Sequence, residues 1–139
     1  MNLKFNKISK NENDTYNLGV RFSKELLPGS VIGLIGDLAS GKTTFVKGVL
    51  KGLDYNYDVT SPTFTLINEY FAKIKVFHID FYRDSNSVRW NNIGFQEILN
   101  SDAIIIIEWA DLLPELLPQK IKNIYFEHYK NIYRRIILK

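Results

Sequence analysis

Apolar runs and alternating segments mark the strands of this chain. Continuous apolar character over residues 30–35 and 103–107 predicts strands buried on both faces. Residues 2–8 alternate between polar and apolar and predict an edge strand, while the last two segments predict a C-terminal hairpin. The predicted strands cover residues 2–8, 30–35, 64–71, 74–81, 103–107, 121–127 and 131–138.

Hydrophobic residues at helical spacing predict a first helix between the first two strands. Its stripe runs from Leu18 to Leu26. Ser9 and Glu12 stand at the spacing of a capping box and predict the start of the helix, and Pro28 predicts its end.

A second stripe, from Phe45 to Leu53, predicts a helix after the second strand. Residues 94–99 predict a short helix, whereas the polar residues 84–92 predict a loop. Helices that alternate with strands in this way predict an α/β fold with a mixed sheet.

Composition limits the possible classes of protein. A chain of 139 residues, 45% of them hydrophobic, predicts a single globular domain over residues 1–139. The absence of cysteine excludes disulfides and thiolate metal sites, and no apolar run approaches the ~20 residues of a membrane helix. A polar N-terminus without a secretory signal predicts a cytoplasmic protein. The net charge of +3 comes from dispersed lysines, so direct RNA binding is the less favoured alternative.

The segment GDLASGKT, residues 36–43, fits the phosphate-binding loop pattern G-x-x-x-x-G-K-[ST]. Glycines allow main-chain amides to approach a phosphate, and the start of the following helix adds unpaired N–H groups. Lys42 would neutralise the β- and γ-phosphates, and the hydroxyl of Thr43 would bind Mg²⁺. A buried strand before the loop and an amphipathic helix after it favour this P-loop (Walker A) interpretation over an incidental basic turn.

Two acidic residues lie where a P-loop needs acidic partners. Glu108 follows four isoleucines, and Asp80 ends another predicted strand. Ligands of such sheets bind outside the carboxyl ends of parallel strands, so both residues are candidates to hold Mg²⁺ or to orient water. The alternative is that each is a surface residue at the end of its strand, and the sequence leaves open which of them contacts the metal.

Four motifs in order, GDLASGKTTF, SPTFTL, HIDFYR and IEW, resemble the TsaE (YjeE) family over nearly the whole chain. The resemblance implies a P-loop ATPase required to make threonylcarbamoyladenosine in tRNA. It implies a three-layer P-loop NTPase-like fold with a mixed, mainly parallel sheet. It also implies ATP or ADP with Mg²⁺ as cofactors, TsaD and TsaB as protein partners, and tRNA contacted only through that complex.

The resemblance also implies residue roles. Lys42, Asp80 and Glu108 would be catalytic, and Thr43 would join the two acids as a metal ligand. The implied nucleotide-binding residues are Asn11, Glu12, Gly36, Leu38, Ala39, Ser40, Gly41, Lys42, Thr43, Thr44 and Arg135. Arg134 is the alternative to Arg135, and residues 61–65 would form a switch that responds to the γ-phosphate.

The phosphate loop departs from the usual family sequence, GDLGAGKTT, because Ala39 and Ser40 replace Gly-Ala. If position 39 requires a positive φ, alanine there costs roughly 1 kcal/mol or more. Two nearby residues are ambiguous from sequence alone: His78 is predicted to be structural, and Trp109 either packs or adjoins the site.

Two other functions are compatible with the loop. One is a small-molecule kinase, although arginines suited to a closing lid are hard to identify between Arg83 and Arg134. The other is a non-hydrolysing module in which the nucleotide only switches affinity for a partner.

Overall fold

The computed structural model describes residues 3–59 and 66–139 and places their strands in one mixed sheet flanked by helices. The strands are β1 (Phe5–Ser9), β2 (Val31–Gly36), β3 (Ile67–Phe71), β4 (Lys75–Asp80), β5 (Ile104–Glu108), β6 (Lys122–His128) and β7 (Arg134–Leu138). The helices are α1 (Glu12–Ser23), α2 (Lys42–Gly52), α3 (Ser87–Asn92) and α4 (Phe95–Leu99), and two short 3-10 turns, Ala110–Leu112 and Pro114–Leu116, follow β5.

The sheet has the strand order β1-β7-β6-β2-β5-β4-β3. Its centre is parallel, since β2 pairs with β5 and β6, and β5 pairs with β4. Antiparallel pairings add β3 at one edge and the β6–β7 hairpin with β1 at the other. The predicted α/β fold, the edge strand and the C-terminal hairpin are therefore confirmed.

Two hydrophobic clusters, one on each face of the sheet, pack helices against it and so form a three-layer arrangement. Alternate residues of β2 and β5 point to opposite faces, so Leu34 and Ile106 join the cluster that contains α1 and α2. Their neighbours Ile105 and Ile107 join the cluster that contains α3, α4 and the turns after β5. The central strands are thus covered on both faces, as their unbroken apolar sequences predict.

Helix α1 begins and ends differently from the sequence prediction. The cap is Asn11, whose side chain accepts a hydrogen bond from the Asp14 amide at 2.8 Å, while the Asp14 carboxylate accepts one from the Lys10 amide at 2.9 Å. The predicted Ser9–Glu12 capping box is wrong, because Ser9 uses its hydroxyl to contact Thr15 at 2.6 Å. The helix also ends at Ser23, earlier than the predicted stop at Pro28.

The predicted loop at residues 84–92 is wrong for residues 87–92, which form α3. Asn86 caps this helix by accepting a hydrogen bond from the Arg89 amide at 3.2 Å. Trp90 is fully buried against Phe81 and Phe95. One buried tryptophan fixes a helix that is too short to show an amphipathic stripe.

Glycines bring α1 and α2 into close contact. A Cβ at Gly48 would collide with the carbonyl oxygen of Tyr16, and one at Gly19 would collide with that of Phe45. This packing holds the start of α1 beside the start of α2. None of the helices in residues 3–59 and 66–139 has the length and apolarity of a membrane span.

Candidate functional site

The segment between β2 and α2 forms a loop whose backbone suits an anion. Gly41, the residue before α2, has φ 103°, a conformation that glycine adopts without strain. Gly41 has no side chain to cap α2, and the partial positive charge at the start of a helix favours an anion there. The loop also turns tightly, with the Ser40 amide donating to the Asp37 carbonyl at 3.2 Å.

Ala39 occupies the left-handed region in this loop, with φ 59°. Position 39 therefore has the positive φ for which the sequence predicts strain. Glycine adopts this conformation more easily than alanine. Arg134 donates a hydrogen bond from Nη2 to the Ala39 carbonyl at 3.2 Å, which ties the loop to the β6–β7 hairpin.

A cavity of about 740 Å³ lies over the loop at the carboxyl ends of the parallel strands. Its lining comes from the loop, the start of α1, the ends of β4 and β5, and the β6–β7 turn. The lining residues are Ser9, Asn11, Glu12, Thr15, Leu38, Ala39, Ser40, Gly41, Lys42, Thr43, Thr44, Asp80, Tyr82, Arg83, Glu108, Trp109, Ile132 and Arg134.

Lys42 is buried at the floor of this cavity. Its Nζ donates to the carbonyls of Gly36 and Asp37, the latter at 2.9 Å, and lies 4.2 Å from the ring centroid of Trp109. Burial lowers the pKa of Lys42, and the negative charges of Glu108 and Asp80 oppose that shift. A cation held by carbonyl dipoles and an aromatic ring can exchange these contacts for phosphate oxygens.

The two candidate acids lie side by side. β4 and β5 pair in parallel, and Asp80 is the register partner of Glu108. The Asp80 carboxylate accepts a hydrogen bond from the Tyr82 amide at 2.8 Å. Burial raises the pKa of Asp80, and the nearby Glu108 raises it further, against the Tyr82 hydrogen bond.

Glu108 has a different partner, His78. The His78 Nε2 lies 2.5 Å from Glu108 Oε2, and the imidazole is fully buried. The sequence predicts a structural role for His78 and no connection with the site. A signal was present, because His78 and Asp80 are two residues apart on one strand and so share a face.

The structure brings most of the predicted site residues together around the cavity, and Arg135 and Gly36 are the two that do not line it. The guanidinium carbon of Arg135 lies 4.7 Å from the ring centroid of Tyr129, and Arg135 does not line the cavity. Arg134 takes that place, because consecutive residues of β7 point to opposite faces. Gly36 is at the end of β2, where a Cβ would collide with the Phe126 carbonyl. The predicted switch at residues 61–65 lies outside the described residues.

Several lining residues were not predicted as part of the site. Tyr82 stacks on Trp109 with ring centroids 4.8 Å apart, at the side of the cavity where the two acids lie. Arg83 and Ile132 also line it. The HIDFYR motif contains Tyr82 and Arg83, but the sequence alone gives no direction for either side chain.

The oxygen donors at this end of the sheet suit a magnesium ion that is bound together with phosphates. In residues 3–59 and 66–139, no group of three or more histidine, aspartate or glutamate side chains could hold a metal ion. Mg²⁺ commonly uses one or two carboxylates and completes its shell with water and substrate phosphates. The hydroxyl of Thr43 and the carboxylates of Asp80 and Glu108 line one cavity and fit that requirement.

Comparison with known proteins relates the chain to a single protein family. A family model described as "Threonylcarbamoyl adenosine biosynthesis protein TsaE" matches residues 9–137. A relative from Treponema pallidum, named tRNA threonylcarbamoyladenosine biosynthesis protein TsaE, is 38% identical over 81% of this chain and 83% of its own length. A Bacillus subtilis protein of the same name is 42% identical over 67% of this chain but only 58% of its own length.

A solved structure shows the same fold. The crystal structure of YdiB from Bacillus subtilis superposes with a TM-score of 0.85 and 30% identity, covering 99% of this chain and 86% of that chain. The family match extends from the end of β1 into β7 and includes the phosphate loop and both acids. The chain therefore belongs to the TsaE family, named for the biosynthesis of threonylcarbamoyladenosine.

Proposed function

We propose that the chain is a P-loop ATPase subunit that supports threonylcarbamoyladenosine formation in tRNA. The observation that carries the proposal is the meeting of a phosphate loop, a buried lysine and two strand-end acids around one cavity. The names of the relatives supply the pathway.

The residues divide into those that bind phosphate and those that act on it. The amides of residues 38–44, with Lys42, would hold the β- and γ-phosphates. Bound Mg²⁺ would neutralise phosphate charge, with Thr43 and one or both acids as its protein ligands. The acids would also orient the attacking water.

The size and shape of the cavity suit a whole nucleotide. A volume of about 740 Å³ lies within the range of about 300–1,000 Å³ of small-molecule sites. Asn11, Glu12, Ile132 and Arg134 line the side away from the acids and leave room there for a base and ribose. We propose ATP and ADP as the ligands.

In this proposal the protein works with TsaD and TsaB in the cytoplasm and contacts tRNA only through them. Residues 61–65 would change shape when contacts to the γ-phosphate are lost on hydrolysis. The chain would act as a single domain, with β1 and β7 completing the sheet that carries the site.

Lys42→Ala provides the first prediction and the test of the proposal. Removing a buried cation that pairs with phosphate costs about 2 kcal/mol or more, so the Kd for ATP with Mg²⁺ should rise about 30-fold or more. Titration calorimetry measures this change. Lys47→Ala is the matched control, because Lys47 is an exposed lysine on the same helix. Absence of binding heat in the unmodified protein would contradict the proposal.

The reaction products distinguish the ATPase from the two alternative functions, a small-molecule kinase and a non-hydrolysing module. Release of inorganic phosphate by the protein mixed with TsaD and TsaB, lost in Lys42→Ala, would support the ATPase. A phosphorylated nucleoside would identify a kinase instead, and binding without turnover would identify a nucleotide-switched module.

A further inference from the structure

We propose that His78 is a positioning residue that holds the Glu108 carboxylate in the orientation required to bind the metal–nucleotide complex. The inference rests on the proposed function, because it concerns how the protein binds Mg²⁺ with a nucleotide. His78 itself does not line the cavity, so it would act only through Glu108.

The contact is buried and short. His78 is fully buried on β4, and the side chain of Glu108, at the end of β5, is 5% exposed. The 2.5 Å separation of Nε2 and Oε2 places the imidazole within hydrogen-bond distance of the carboxylate. Because water is excluded from this contact, the hydrogen bond favours this conformation of the Glu108 side chain over other conformations.

The surroundings of the imidazole indicate where its proton lies. Nδ1 of His78 is buried and has no hydrogen-bond partner among the described residues. A proton on Nδ1 would be a buried donor without an acceptor, which is costly. The neutral tautomer with its proton on Nε2 avoids that cost and donates to Glu108.

This arrangement leaves Glu108 suited to a metal. A carboxylate offers two oxygens, and the bond to His78 occupies only Oε2. Glu108 also lines the cavity, so the rest of its carboxylate remains available to a ligand there. Residues that orient a metal ligand from behind typically contribute about 10–100-fold to metal affinity.

The strand pairing explains how the histidine reaches this position. Asp80 is the register partner of Glu108, and His78 precedes Asp80 by two residues on the same face of β4. A glutamate side chain that bends back along the sheet therefore meets the imidazole. Strand β4 thus contributes Asp80 to the cavity and His78 to support Glu108 of the neighbouring β5.

The test is the Mg²⁺ dependence of ADP binding, measured by titration calorimetry. In His78→Phe, which keeps a ring near Tyr70 but removes the donor, the Mg²⁺ concentration for half-maximal enhancement should rise about tenfold or more. ADP binding without metal should change less than twofold. His78→Gln, whose amide can donate from a similar position, should restore the Mg²⁺ response to within about threefold of the original.

Val76→Ala is the matched control for lost packing, because Val76 is buried on the same face of the same strand. Val76→Ala should lower the melting temperature and leave the Mg²⁺ concentration for half-maximal enhancement within twofold of that of the unmodified protein. A positioning role also predicts that His78→Phe causes little further change in the Mg²⁺ dependence of ADP binding when Glu108→Gln is already present. An unchanged Mg²⁺ response in His78→Phe, or full additivity with Glu108→Gln, would overturn the proposal.

A measurement on the unmodified protein covers the case in which His78→Phe does not fold. The chain has two histidines, so nitrogen-15 NMR can assign both imidazoles directly. The expected result is a protonated Nε2 on His78, with a slowly exchanging proton signal that moves when Mg²⁺ and ADP are added. A proton on Nδ1 alone would overturn the inference. If ADP does not bind at all, the proposed function fails while the tautomer still reports on the histidine–glutamate contact.

Discussion

The ends of β4 and β5 carry two acids in register, and the protein holds them in different ways. Asp80 is fixed by a main-chain amide, that of Tyr82, whereas Glu108 is fixed by the side chain of His78. Burial and the neighbouring Glu108 raise the pKa of Asp80. Equivalent positions in a sheet can therefore give acids with different chemical character.

The difference favours different tasks for the two acids. An aspartate with a raised pKa gains affinity for a proton, which suits interaction with an attacking water. A glutamate held by a buried imidazole has a fixed orientation, which suits a metal ligand. This division of tasks between the two acids is a prediction that substitution of each acid can test.

The largest expected effect comes from neutralising each acid in turn. Asp80→Asn should lower kcat about 10²-fold or more and leave the Mg²⁺ requirement nearly unchanged, because it removes a group acting on water. Glu108→Gln should instead raise the Mg²⁺ concentration for half-maximal activity. Steady-state hydrolysis at varied Mg²⁺, with TsaD and TsaB present, measures both. If both variants changed the same parameter by the same factor, the proposed division of tasks would be wrong.

A smaller effect is expected on stability, and it has a definite sign with pH. Because the folded-state pKa of Asp80 is raised from 3.8, the folded protein retains this proton to higher pH than the unfolded chain. The contribution of Asp80 to stability therefore falls as pH rises from about that value through the raised pKa. Asp80→Asn should melt above the unmodified protein at neutral pH.

The same two proteins should converge at acidic pH, where the aspartate is protonated and resembles asparagine. Thermal unfolding in metal-free buffer from pH 4 to pH 8 provides the measurement. A constant difference across that range would show that Asp80 does not titrate within it.

The smallest effect concerns the loop that faces both acids. Ala39→Gly should stabilise the protein by about 1 kcal/mol or less, since glycine relieves the left-handed strain but loses more entropy on folding. Asn131→Gly is the control, because Asn131 also has a positive φ, 56°, which asparagine tolerates. Chemical denaturation should show the larger gain for Ala39→Gly. Equal gains would mean that Ala39 is no more strained than Asn131.

The features predicted correctly from sequence are those with a local signature. Four isoleucines before Glu108 indicate a buried strand, and the glycine–lysine pattern at residues 36–43 indicates the loop wherever it occurs. Helix α3 was missed because its six residues are too few for an amphipathic stripe, and because it depends on the packing of Trp90 against Phe81 and Phe95, which the sequence does not reveal.

The site details that were missed depend on strand pairing. Whether Arg134 or Arg135 faces the cavity depends on which face of β7 lies over the loop, and a shift of one residue reverses the answer. The contact of His78 with Glu108 requires β4 to lie beside β5 in a defined register. Sequence spacing within one strand cannot provide that register.

The contact between Gly19 of α1 and Gly48 of α2 limits how the nucleotide cavity can deform. The backbones touch directly there, so no side chains lie between them to rearrange when one helix shifts. The first turn of α1 lines one wall of the cavity and the first turn of α2 lines its floor. A protein that pushed on the outer surface of α1 would thus move the floor as well, and could change nucleotide affinity without entering the cavity.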